Sequence, residues 1–343
     1  MTIISGWQTR ITVSHDSDIG ECRRSANRLL HGHRFDEVSA GRIGIIATEL
    51  ATNIVRHAGR GEVLMQVLTD GDSPELELMS IDLGPGMQDV DACLRDGYST
   101  GGTQGSGLGA VSRLSSTFDI FSAPGLGTVV LSRSKPNGRR QHPVPAAPTA
   151  SLELGAISLA VAGEIECGDT WRVGHDGTLA SIFVADGLGH GALAASAAQA
   201  AAEVFTSRPF EAPAMLMRNC HAALGGTRGA AAACAVLRLA DSQVDYAGVG
   251  NIAGTVVTRE RSRGMVSHNG TLGVQLLRTQ QFEYDWPAGA RVVMHSDGLS
   301  ARWSLSAYPG LDSHHSAVIA GVLYRDFVRL RDDATVIVAC LRT

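Results

Sequence analysis

"IATELATNIVRHAG", Ile46–Gly59, has the pattern of an amphipathic helix with an unusual edge. Ile43, Ala47, Leu50 and Ile54 recur at helical spacing and predict a buried apolar stripe. Glu49, Asn53 and His57 form a second row beside it, at i, i+4 and i+8. Such a row is either a solvated helix edge or the polar floor of a site. The choice rests on what the remaining chain brings to it.

Two glycine-bearing loops follow. "IDLGPGM" (Ile81–Met87) sets Asp82 at a strand end, with Gly84 and Gly86 just beyond. "GGTQGSGLGAV" (Gly101–Val111) sets Gly105, Gly107 and Gly109 at the start of a helix. Free N–H groups at a helix start suit phosphate oxygens, and glycine lets the backbone approach them. Asp82 could accept a hydrogen bond from an exocyclic amine. Asn53 could offer a neutral oxygen to a magnesium ion that bridges phosphates. A dinucleotide-binding reading fails, because no apolar strand leads directly into Gly105 and no ribose-binding acid follows ~20 residues on.

Taken in order, these elements resemble the N, G1 and G2 boxes of the GHKL ATPase and kinase superfamily. They are most similar to the small anti-sigma and switch serine kinases of the RsbW/RsbT type. The resemblance covers most of residues 10–132, including "FDIFSAPGLGTVV" (Phe118–Val130). It implies a Bergerat α/β sandwich with an ATP site. In that site Glu49 matches the N-box base and Asn53 the magnesium ligand. Asp82 matches the adenine-reading acid, and Thr128 the threonine that supports the adenine pocket. Gly84 and Gly86 match the G1 turn, and Gly105, Gly107 and Gly109 the phosphate loop. His57 fits either that box or a packed or solvated imidazole.

The second half places aspartates at strand ends beside glycine or other small residues. They are Asp169 in "ECGDTW", Asp186 in "FVADGLGHG", Asp297 in "VVMHSDGLS", and Asp332 with Asp333 in "RDDATVIVA". The apolar runs before Asp186 and Asp297, and after Asp333, are those of buried central strands. Carboxylates gathered there would each cost several kcal/mol if uncompensated. A shared divalent cation is the natural compensation, and all-oxygen ligation points to magnesium or manganese rather than zinc.

The order of "ADGLGHG", "GVGNIAG", "TLGV", "SDGL" and "DDAT" resembles the SpoIIE/RsbX branch of the PPM (type 2C) metal-dependent Ser/Thr phosphatases, over most of 152–340. That resemblance implies an αββα sandwich holding two ions, Mn2+ or Mg2+. Asp186 would bridge them, Gly187 would offer its carbonyl, and Asp169, Asp297 and Asp332 would complete the shell. Asp333 is the lesser candidate, since the first residue of such a pair usually ligates. The arginine that grips substrate phosphate in many eukaryotic members has no match before Asp169, which leaves Arg172 as a stand-in. Asn251 reads as a turn residue, His190 as a loop residue, and His314–His315 as surface.

Bulk properties frame both halves. At 343 residues the chain predicts two domains. We expect an ATP-binding domain at 1–133, a Pro-rich linker at 134–150 and a phosphatase domain at 151–343, an α+β chain overall. The linker "SKPNGRRQHPVPAAPT" (Ser134–Thr149) holds four of the eleven prolines and could reach roughly 50 Å. Net charge is a mild −5, with no basic stripe for nucleic acid or a membrane surface, and no apolar run reaches a membrane span. Six scattered cysteines without a C-x-x-C pair suit reduced thiols in a cytoplasm.

The two resemblances together imply a bifunctional partner-switching regulator. The first domain would use Mg-ATP to phosphorylate Ser/Thr of an STAS-domain anti-sigma antagonist or stressosome-like protein, and the second would hydrolyse the phosphoester. The alternative is a phosphatase whose first domain only senses ATP or sequesters a partner. Either arrangement leaves a homodimer open.

Overall fold

The computed structural model of the protein describes residues 1–33, 35–70, 73–95, 107–136, 151–276 and 278–342. The expected linker therefore lies mostly outside the described residues, as does Gly105. The chain divides into two compact units. One is Gly6–Ala147; the other joins Met1–Ser5 to Pro148–Thr343.

Two strands come first, β1 (Thr2–Ser5) and β2 (Gln8–Val13). From β2 the first unit continues through α1 (Asp16–Leu30), α2 (Glu37–Asn53), β3 (Gly61–Asp70) and β4 (Ser73–Asp82). Then come α3 (Val90–Leu94), α4 (Gly107–Leu114), β5 (Thr117–Ser122) and β6 (Thr128–Ser134). β3 pairs with β2 and β4, β4 with β6, and β6 with β5, all antiparallel. Helices cover one face. Cys22 and Ala26 of α1, Ile43, Ile46, Ala47 and Leu50 of α2, and Val111 of α4 pack on Val63, Met65, Leu76, Leu78, Ile120 and Val130. The strand residues alternate, as one buried face of a pleated sheet requires. This is the expected α/β sandwich.

α2 starts where Asp36 caps it, its carboxylate accepting from the Ser39 N–H at 2.8 Å. It ends unusually. After Asn53 the chain widens into a single π turn, Ile54–Ala58, closed by Gly59 at φ +74°. The apolar stripe stays buried through Ile54, whereas His57 is exposed. Wide turns of this type concentrate at functional sites.

In the second unit the strands are β7 (Ser151–Leu159), β8 (Asp169–His175), β9 (Leu179–Gly187), β10 (Ala230–Arg238), β11 (Gln243–Val249) and β12 (Ala253–Val257). α5 (Ala192–Ser207) and α6 (Pro213–Ala223) lie between β9 and β10, and α7 (Ser316–Phe327) precedes the last strand, Ala334–Arg342. One sheet includes β1, β8, β9, β10 and β11 in that order, all antiparallel. The second runs Ser262–Met265, β12, Arg291–His295, Ala334–Arg342, β7.

α5 and α6 cover the first sheet with alanines, Phe205, Leu216 and Met217 against Phe183, Ala232 and Cys234. α7 covers the second; a side chain at Gly155 of β7 would collide with the Ala317 backbone. Between the sheets Gly254 leaves room for the Tyr246 ring, 2.8 Å from where a Cβ would stand. The result is the expected αββα sandwich. All six cysteines are free, and only Cys93 is not buried. No helix among the described residues is long and apolar enough to cross a membrane.

Periodicity alone does not reveal β8 or α6. β8 buries Trp171 and Val173 on alternate positions, but Asp169, Arg172 and Gly174 dilute the pattern. α6 carried a signal in its first-position Pro213.

Candidate functional site

In the first unit the helix row meets the loops. Glu49 and Asn53 stand on consecutive turns of α2, both half-buried. α4 begins directly over them. A Cβ on Gly107 would lie 3.1 Å from Glu49 Oε2 and 3.5 Å from Asn53 Oδ1. Only a residue without a side chain leaves that approach open. The Asn53 Nδ2 is buried with no hydrogen-bond partner, so nothing in the described chain fixes this amide. A polar ligand in the pocket would satisfy it.

Asp82 ends β4 and is the direct cross-strand partner of Thr128 on β6. Its Oδ1 accepts from the Gly84 N–H at 2.8 Å, which folds the G1 turn back on the acid. Gly84 abuts the π turn; a Cβ there would meet that of Ala58 at 2.8 Å. Gly86 has φ +71°, and a Cβ would strike the Ala123 carbonyl. Thr128 is buried and shares a hydrogen bond with Ser122 at 2.9 Å. Gly109 is buried on α4. His57 lies within the π turn and is exposed.

In the second unit the carboxylates gather at one end of both sheets. Asp169 and Asp186 are paired directly across β8 and β9, a position where like charges repel. Burial, then the charges of Asp169, Asp297, Asp332 and Asp333, push the Asp186 carboxyl up to about 9. Burial likewise pushes Asp169 up to about 7, against the hydrogen bonds from Ser296 and Thr335. Burial is also the main cause raising Asp332. Asp169 Oδ2 accepts from Ser296 Oγ at 2.6 Å, while its buried Oδ1 has no hydrogen-bond partner among the described residues. Asp297 Oδ2 accepts from Asn251 Nδ2 at 2.7 Å.

Asp333 is spent elsewhere. Its two oxygens accept from the Val161 and Gly168 N–H groups at 2.7 and 2.6 Å, tying the last strand to the loop before β8. Among the described residues the Asp332 carboxylate takes only the Asp333 N–H, at 2.9 Å. The start of α5 packs so closely on Gly187 that any side chain there would strike the Ala194 backbone.

Among the described residues no three His, Cys, Asp or Glu groups already stand at ion-holding spacing. The donor chemistry nonetheless fits a hard divalent cation. It is all oxygen, strongly like-charged, and includes the unsatisfied Asp169 Oδ1. The carboxylates share one electrostatic neighbourhood and would draw in around such an ion.

Sequence reasoning missed two residues that hold the carboxylates, Asn251 and Ser296, while His190 is the loop residue expected. Asn251, read as a turn residue, holds Asp297. Ser296, adjacent to Asp297 in "HSDG", holds Asp169 across the two sheets. His190 is oriented by Glu164, Nδ1 to Oε1 2.6 Å. Arg172 is not turned toward phosphate: it donates to Thr170 Oγ1, the Trp171 carbonyl and Gln199 Oε1.

Fold and sites together define a nucleotide-binding sandwich and a metal-dependent phosphatase-type sandwich on one chain. Residues 13–133 match the histidine kinase-like ATPase domain family and residues 176–342 the stage II sporulation protein E (SpoIIE) family. The serine/threonine-protein kinase RsbT of Bacillus subtilis (strain 168) is 32% identical over 123 residues, which is 36% of this chain and 92% of RsbT. The chain belongs to the RsbT family through that N-terminal segment, and carries a SpoIIE-type phosphatase domain after it. A chain from the structure of the bacterial stressosome, a modular system adapted to control secondary messenger signalling, matches with TM-score 0.52 and 28% identity. It covers 55% of this chain and 99% of its own length. RsbX in complex with magnesium matches with TM-score 0.50 and 22% identity, covering 56% of this chain and 96% of RsbX, a likeness of fold.

Proposed function

We propose that this chain both adds and removes phosphate on a Ser/Thr of an STAS-type partner in a cytoplasmic partner-switching circuit. The division of labour follows the two units, the kinase part within residues 6–133 and the phosphatase part in 151–343 together with Met1–Ser5, with 134–150 as tether. The observation that carries this reading is the pairing, in one chain, of an RsbT-like segment that keeps Glu49 against Gly107 with a carboxylate cluster built on Asp169 and Asp186.

In the first unit Asp82 and Thr128 would receive the adenine, and Gly84, Gly86, Gly105, Gly107 and Gly109 the phosphates. Asn53 would hold magnesium-bound nucleotide. Glu49 would take the proton from the partner's hydroxyl as its oxygen bonds to the γ-phosphorus, the β–γ bridging bond breaks and ADP leaves. In the second unit Asp186, Asp169, Asp297 and Asp332, with the Gly187 carbonyl, would hold two manganese or magnesium ions. When bound, such ions supply a water acidic enough to attack at neutral pH and a positive clamp on phosphoryl oxygens. Asn251 and Ser296 keep two of the carboxylates aimed, and Asp333 keeps the ligand-bearing loops together. Hydrolysis would form a bond from a water oxygen to phosphorus and break the bond to the seryl or threonyl oxygen, which would take up a proton, giving inorganic phosphate.

The test is a time course with labelled ATP and STAS proteins, with and without manganese. Asp186→Asn should raise the phosphorylated fraction at steady state, and Glu49→Ala should lower it. If no variant ever yields phosphorylated partner, and non-hydrolysable ATP analogues change dephosphorylation as ATP does, the first unit is a sensor and the kinase half of the proposal is wrong.

A further inference from the structure

Resting on the phosphatase reading, a charge argument leads to one more residue. Four carboxylates cancel two divalent ions, so a phosphate monoester dianion would arrive at a centre with no net positive charge to receive it. A cation from elsewhere in the unit has to supply that charge, and Arg172 is already committed to Thr170, Trp171 and Gln199.

Arg228 is placed to do so. It lies just before β10, where Ala231 is the cross-strand partner of Asp186 and Ala230 that of Gly187. The Gly229 carbonyl accepts from the Leu188 N–H at 3.0 Å, which binds this segment to the loop leaving Asp186. Gly189, at φ +89°, has no side chain to intervene, and the Arg228 Nη1 sits 3.2 Å from where its Cβ would be. The next basic group on that loop, His190, is already engaged by Glu164. Arg228 is exposed, and among the described residues it has neither a hydrogen bond nor an ion pair.

We propose that Arg228 grips the phosphoryl oxygens of the phosphoserine or phosphothreonine substrate, a task suited to the planar, permanently charged guanidinium fork. It enters from the β10 side of the site, not from the strand segment before the first ligand.

The experiment compares wild type, Arg228→Ala and Arg228→Lys as full-length, manganese-loaded chains. Calorimetry measures the binding of inorganic phosphate and of manganese, and kinetics are followed on p-nitrophenyl phosphate and a phosphoserine STAS protein. Arg228→Ala should weaken phosphate binding and raise KM by about 10- to 100-fold. Manganese affinity and thermal midpoint should not change, and the lysine variant should fall between. An active wild type with Arg228→Ala unaltered in phosphate affinity and KM overturns this proposal alone. A wild type that binds manganese yet hydrolyses neither substrate overturns the phosphatase reading as well.

Discussion

Replacing Asp186 with Asn should make the metal-free protein more stable while abolishing its use of metal. Burial and four neighbouring carboxylates raise the Asp186 carboxyl from 3.8 to about 9. At pH 7 the folded chain must hold that group protonated although the unfolded chain ionises it. The gap of about three pH units, at 1.36 kcal/mol each, is roughly 4 kcal/mol. Partial exposure of the side chain reduces this to about 2 kcal/mol. For a unit of this size that is a rise of roughly 4–8 °C in midpoint. Tryptophan fluorescence suits the measurement, since Trp171, Trp286 and Trp303 lie in this unit and only Trp7 in the other. Wild type should gain markedly on adding manganese; Asp186→Asn should gain little and hydrolyse no phosphoserine. A variant that is no more stable without metal, and still manganese-stabilised, would refute the reasoning.

Other outcomes follow from the same geometry. Because Asp169 and Asp186 are raised in the folded state, their favourable contribution is complete below about pH 4 and is lost as pH rises through about 7 and then about 9; urea titrations of metal-free chain should show that loss between pH 5 and 9. Asn53→Ala should lose nucleotide affinity, whereas Glu49→Ala should bind ATP normally and transfer it at least about 100-fold more slowly, as read by calorimetry and labelled ATP. Gly86→Ala forces a side chain onto the Ala123 carbonyl at positive φ, and should cost the first unit more than about 1 kcal/mol in chemical denaturation. Asn251→Ala frees Asp297 to turn and should raise the manganese concentration needed for half-maximal binding by about 10-fold.

Both sites were legible in sequence wherever local pattern sets geometry. Asp82 and Asp186 sit at strand ends because apolar runs precede them, and β pairing then fixes which residue each faces. The glycines marked close approaches that the backbone realises at Gly84, Gly86 and Gly107. What stayed hidden depends on partners distant along the chain. Nothing local to Asn251 announces Asp297, and nothing local to Arg228 announces the Asp186 loop; only the folded sheets bring them together. Ser296 was hidden differently, since its neighbour Asp297 drew the functional reading while the hydroxyl served the other sheet. The π turn after Asn53, which carries His57, is not foreseen by helical periodicity.

β1 has a consequence for synthesis and for cleavage. Thr2–Ser5 is made well before its partners, since Ile3 and Ile4 pair with Gly174 and Val173. At about 5–20 residues per second, those partners emerge roughly ten to thirty seconds later. Meanwhile the chain from Gly6 can complete its own sandwich, so the ATP-binding unit is topologically an insertion within the other. A protease that nicks Pro143–Pro148 would yield two polypeptides, but the shorter one would keep a strand seated in the longer one's sheet. The nick divides the chain and leaves the sheet whole.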